Sequence, residues 1–131
     1  MKPLAFLFAL TLSACQLLGP DGSASDRVVL EASFDAINRE VDLRLINRSS
    51  FEVGYNLCPT SVRETTTDRS LYGEDVICTM ELRLLRPGQS ADGRLPIDAD
   101  SALVPGSYRA HARVSVNEES RIVTSDPFTI P

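Results

Sequence analysis

From residue 28 onward, apolar and polar side chains alternate with a period of two. Leu30, Ala32 and Phe34 alternate with Glu31 and Ser33, and Val41, Leu43 and Leu45 with Asp42 and Arg44. Phe51, Val53, Tyr55 and Leu57 alternate with Glu52, Gly54 and Asn56, and Met80, Leu82 and Leu84 with Glu81 and Arg83. The longest run is Tyr108, Ala110, Ala112, Val114 and Val116 against Arg109, His111, Arg113 and Ser115. Successive side chains of a strand point to opposite faces, so each run predicts a half-buried strand whose apolar members face a core. A short strand is expected over Val62 to Thr66 and a short stretch ending in Leu95-Pro96-Ile97. Residues 122 to 130 form a closing strand that Pro127 interrupts and marks as an edge. Turn chemistry falls between the runs, at Asn47-Arg48-Ser49-Ser50, Arg86-Pro87-Gly88, Leu103-Val104-Pro105-Gly106 and a polar hairpin loop at Asn117 to Ser120. No segment carries a helical period. The expectation is an all-β chain with one β-sandwich of about seven strands over residues 28–131.

The pattern before residue 28 is different. Lys2 supplies one positive charge, and residues 3–14 then run without a charge around Leu4, Phe6, Leu7, Phe8, Leu10 and Leu12. A spanning helix needs roughly 20 apolar residues, so this run is too short to cross a bilayer. A charged start, a short apolar run and small residues at its end describe a secretory signal peptide. Its last residues, Leu12-Ser13-Ala14-Cys15, resemble the lipobox of bacterial lipoproteins. That resemblance implies a diacylglyceryl thioether on Cys15, cleavage after residue 14 and commonly acylation of the new amino group. Two or more acyl chains make a stable membrane anchor where one does not. Gln16, rather than Asp, is similar to the outer-membrane default of enterobacterial lipoproteins. Residues 15–27, rich in Gly, Pro, Ser and Asp, read as a flexible tether with a reach of roughly 20 Å. The resulting expectation is a cell-envelope location, on the periplasmic face of the outer membrane, with the membrane engaged through the lipid.

With Cys15 assigned to lipid, Cys58 and Cys78 remain as a pair in an exported chain, where disulfides form and persist. A bridge between them closes a loop of about 20 residues, stabilises the fold by about 3 kcal/mol on the chain-entropy model, and pins the polar stretch 59–77.

Leu103-Val104-Pro105-Gly106-Ser107-Tyr108, followed by alternating apolar residues, resembles the approach to the penultimate strand of immunoglobulin-like and fibronectin-like domains. The resemblance implies that Tyr108 forms a tyrosine corner, with its ring buried and its hydroxyl bonded to backbone a few residues upstream. The chain lacks a Trp, and Ala110 stands where antibody-type domains place their second core Cys, so the expectation is immunoglobulin-like architecture rather than antibody-type membership.

Charge and chemistry narrow the function. Thirteen basic residues against eighteen acidic ones give a net charge of -5, with the arginines scattered along the chain, so the basic stripe of a nucleic-acid binder is missing. His111, the single histidine, lies between Arg109 and Arg113 on the outward side of its strand and reads as a solvent-facing spectator rather than a catalytic base. Once the cysteines are assigned, no ligand set for zinc is left, and Asp98-Ala99-Asp100-Ser101 lacks the Gly and distal Glu of a calcium loop. No catalytic residue, metal or cofactor is expected. The leading expectation is a non-catalytic interaction module that binds an envelope protein or glycan. The alternative is a proteinase inhibitor, because small bacterial immunoglobulin-like domains with similar Leu-x-Pro-Gly turns include such a family. That resemblance implies a rigid loop between Cys58 and Cys78 presenting Arg63 and Arg69.

Overall fold

The computed structural model describes residues 27–73, 76–98 and 103–131 of the chain. The predicted signal peptide, Cys15, most of the tether and Asp100-Ser101 lie outside the described residues. Ten strands follow in order: β1 (Val28–Asp35), β2 (Glu40–Asn47), β3 (Val53–Tyr55), β4 (Ser61–Glu64), β5 (Ser70–Tyr72), β6 (Arg83–Leu85), β7 (Ser90–Pro96), β8 (Gly106–Val116), β9 (Glu119–Thr124) and β10 (Phe128–Ile130). They form a three-stranded sheet, β1-β2-β7, and a seven-stranded sheet built around β8. All pairings are antiparallel.

β8 is long enough to carry two partners on each edge. Along one edge, β4 pairs with Tyr108–His111 and β3 with Val114–Val116. Along the other, β10 pairs with Gly106–Tyr108 and β9 with His111–Val116. β5 and β6 continue outward from β4 and β3. The larger sheet is therefore four positions wide and the smaller sheet three, so ten strands occupy seven lateral positions. The count exceeds the expected seven because three positions are broken. Ser125-Asp126-Pro127 divides β9 from β10, since Pro127 has no backbone N–H to donate. Ser125, itself buried, fills that gap: its N–H donates to the Ala110 carbonyl, and its hydroxyl accepts from Ala110 N–H, both at 2.9 Å. Residues 56–60, containing Cys58-Pro59, divide β3 from β4. The polar stretch 59–77, with its one strand expected over Val62 to Thr66, holds two strands, β4 and β5, as a hairpin, and residues 76–82 then lead to β6.

The long runs register as the alternation predicts. Tyr108, Ala110, Ala112, Val114 and Val116 of β8 are all buried, facing Val41, Leu43 and Leu45 of β2 and Val28 and Leu30 of β1 in one core. β1 also approaches β8, β9 and β10, so the two sheets come together along that side. Three readings are corrected. Met80, Leu82 and Leu84 face solvent, and the inward residue of β6 is Leu85, directly opposite Val53. Alternation cannot choose the core face when both faces of a strand are apolar. Phe51 lies outside β3 and is largely exposed. The closing hairpin needs only Asn117 and Glu118 as its loop, both at positive φ, as a two-residue type I′ turn requires. The two Leu-x-Pro-Gly motifs also differ. Pro87 and Gly88 (φ 81°) occupy the centre of a tight turn closed by Gln89 N–H on the Arg86 carbonyl, whereas Gly106 already belongs to β8.

Two buried polar side chains tie the sandwich together. Asn47, fully buried at the end of β2, donates from Nδ2 to the Phe51 and Leu85 carbonyls and accepts on Oδ1 from the backbone and hydroxyl of Ser49. One amide thereby links the smaller sheet to β6 of the larger one, with every donor and acceptor used. Tyr108 buries its ring completely against Phe128, and its hydroxyl donates to the Val104 carbonyl at 2.6 Å, four residues upstream.

Replacing Tyr108 dissects that corner. Tyr108→Phe keeps the ring and leaves the Val104 carbonyl without its donor, and should cost about 1 kcal/mol. Tyr108→Ala also leaves a cavity and should cost about 3–5 kcal/mol. Urea unfolding of both variants checks the ordering, and equal losses would show that the ring contributes nothing beyond its hydroxyl.

Candidate functional site

The pairing that buries one face of β8 presents the other to solvent. Arg109, His111, Arg113 and Ser115 project from that outer face, flanked by Arg63 and Ser61 on β4 and by Thr124, Ile122 and Ser120 on β9. Arg63 stands directly opposite Arg109, a like-charge cross-strand pair that disfavours itself. Arg63 is compensated by Asp68, 3.2 Å away. Arg109 and Arg113 have no ion-pair partner among the described residues. Arginines that look scattered along the chain are thus gathered by strand pairing into one cationic strip.

The disulfide builds a wall beside the strip. Cys58 and Cys78 are bonded, with their Cα atoms 5.8 Å apart. Asn56 donates from Nδ2 to the Thr79 carbonyl at 2.7 Å, and Leu82 packs onto the outer side of Gly54 in β3. A Cβ at residue 54 would stand 2.9 Å from Leu82 Cδ2, so glycine is what lets this segment lie close to the sheet. The wall carries Ile77, Met80 and Leu82, which are 98%, 99% and 60% exposed. Ile122, 56% exposed, rises from β9 on the far side. Between them lies a groove of about 560 Å³ that includes His111, Arg113 and Ser115. A larger cleft of about 790 Å³ lies between β1 and β9, with Glu31, Arg48, Thr124 and Asp126 exposed along it, and Ile122 borders both hollows.

His111 is half-buried in the groove, where Nδ1 hydrogen-bonds the Thr124 hydroxyl at 3.1 Å. It is not the fully solvated residue expected. Burial, and then the charges of Arg63 and Arg109, hold its pKa below the usual histidine value, with Asp68 opposing. Its neutral form is therefore favoured in the folded chain. Among the described residues no carboxylate is hydrogen-bonded to the ring, whose partner is the Thr124 hydroxyl, and no three metal-ligating side chains converge.

Arg63 and Arg69 sit on the β4–β5 hairpin rather than on an extended loop. Arg63 is held by Asp68, while Arg69 lies 3.9 Å from Glu64 and also reaches the Tyr108 hydroxyl. Glu64 accepts from the hydroxyls of Thr66 and Thr67, and these bonds lower its pKa and brace the turn. Both arginines are thus bound into the domain. No family model matches this chain, and no curated protein matches it in sequence. The residues that make the face were partly visible beforehand. Leu84-Leu85 and Ile122-Val123, each two adjacent apolar residues in a strand, signal that both faces are apolar there.

The His111 environment has a pH signature. A depressed folded-state pKa means that the unfolded chain takes up the proton first, so stability falls as pH drops below about 6.5 and levels off below the folded value. Asp35 and Glu64, both lowered, lose their contributions only at more acid pH, as protonation sets in below their ordinary values of 3.8 and 4.5. Denaturant midpoints measured from pH 7 to 5 should decline in the wild type and stay flat in His111→Gln, with the steeper acid loss unchanged. A decline of equal slope in the variant would assign it to other groups.

Proposed function

We propose that this chain is an envelope-anchored lipoprotein whose immunoglobulin-like domain is a non-catalytic binding module, working through the outer face of its larger sheet. The observation that carries this reading is the concentration on one sheet face of exposed large apolar side chains around a groove, together with Arg109 and Arg113, which have no ion-pair partner among the described residues. An exposed apolar cluster of this kind marks an interaction site. The immunoglobulin-like assignment is supported by the lateral order. β1-β2-β7 corresponds to an A-B-E sheet and the four positions of the larger sheet to G-F-C-C′, with Tyr108 at the start of the F position where a tyrosine corner belongs. Lipidation is supported by the Leu12-Ser13-Ala14-Cys15 sequence behind its charged and apolar leader. No observation favours the inhibitor reading, since Arg63 and Arg69 are both engaged by carboxylates within the hairpin. Two uncompensated arginines also fall short of the stripe that a nucleic-acid backbone demands.

The anchor is tested directly by growing bacteria that express the full chain with radiolabelled palmitate. The wild type should incorporate label, whereas Cys15→Ser should incorporate none and accumulate as uncleaved precursor. Label in the variant, or none in the wild type, would remove the lipoprotein reading.

A further inference from the structure

We propose that the outer face of the larger sheet is the interface of an isologous dimer, formed by two copies of this chain. The first argument is shape. Met80 protrudes almost wholly exposed at the wall of the groove of about 560 Å³, so an apolar projection and a hollow share one face. A knob and a hollow on one surface fit each other in a second copy related by a two-fold axis, because residue i then meets j and j meets i. The composition also fits. Met and Arg are enriched at interface cores and rims, and Leu82, Leu84 and Ile122 extend the apolar centre.

The second argument is charge. Arg113 on β8 and Glu81 on the wall both border the groove, yet they form no ion pair with each other, and neither has another partner among the described residues. The face therefore offers both signs at once. A two-fold apposition brings Arg113 of each copy toward Glu81 of the other and leaves Arg109 at the rim. An anionic bilayer is the poorer occupant, because Glu81 stands between Met80 and Leu82, where the apolar tips would have to enter it.

The third argument is proximity. Two lipid-anchored copies would meet at the raised effective concentration of a shared membrane. Only this point rests on the lipoprotein reading.

Sedimentation equilibrium of the full chain in density-matched detergent micelles tests the proposal. The wild type should sediment at twice the mass of its own protomer, as that mass is read by mass spectrometry. Arg113→Glu and Glu81→Arg should each weaken association by roughly tenfold or more, since each places like charges in apposition. The combination Arg113→Glu with Glu81→Arg should restore it, and Ile122→Asp should weaken it with no rescue. Circular dichroism and thermal midpoints confirm that each variant is folded. A protomer mass throughout the concentration range overturns the proposal, as does a dimer indifferent to all three single substitutions. A protomer that binds anionic vesicles through Arg113 would assign the face to a bilayer and overturn it equally. The mass is read whether or not Cys15 carries lipid, so failure of the dimer and failure of the anchor are separate results.

Discussion

Strand β8 has two backbone edges and four hydrogen-bonded neighbours, and the larger sheet hangs on that shared ladder. β3, β4, β9 and β10 are each too short to stand alone, at three to six residues. Each gains its register from β8, and Ser125 bridges the place where the ladder is interrupted. A buried strand cannot leave its backbone groups unpaired without a cost comparable to a lost hydrogen bond per group. The breaks at Cys58-Pro59 and Pro127 are tolerated because the chain resumes on the same edge after each one.

This arrangement divides labour between the two faces of one strand. Inward, Tyr108, Ala110, Ala112, Val114 and Val116 are all buried in the core, with the largest side chain at the start of the strand. Outward, Arg109, His111, Arg113 and Ser115 contribute little to the core. Substitutions there are therefore free to serve recognition, and the wall beside them is held by a disulfide, an Asn56 amide and the bare backbone of Gly54. The hydrophobic effect fixes the inner face, while the chemistry of the outer face is set by which side chains the pairing brings together.

How much of this was legible in the sequence follows from the same division. β1, β2 and β8 were readable because their alternation is long and one-sided, and Tyr108 because its neighbours form a known corner. The Cys58–Cys78 bridge followed from counting the cysteines left once Cys15 was set aside as the expected lipid site. β7 was mostly missed, because Ala91 and Gly93 are too small to signal a buried face. β6 was assigned the wrong inward side, because Leu82 and Leu84 are as apolar as Leu85. Asn47 looked like part of a turn, and only the fold shows its amide joining two sheets. The cationic strip was half legible: Arg109 and Arg113 share an outward strand face, but Arg63 joins them only through the non-local β4–β8 pairing.

The claim that β8 is the spine of the domain is tested most directly by native-state amide hydrogen exchange on the full chain. Amides of Ala110, Ala112 and Val114 should exchange only through global unfolding, with an opening free energy equal to that from denaturant titration, while β5 and β6 open locally at lower free energy. Exchange of those β8 amides well below the global value, with the β1–β2 hairpin still protected, would contradict the account.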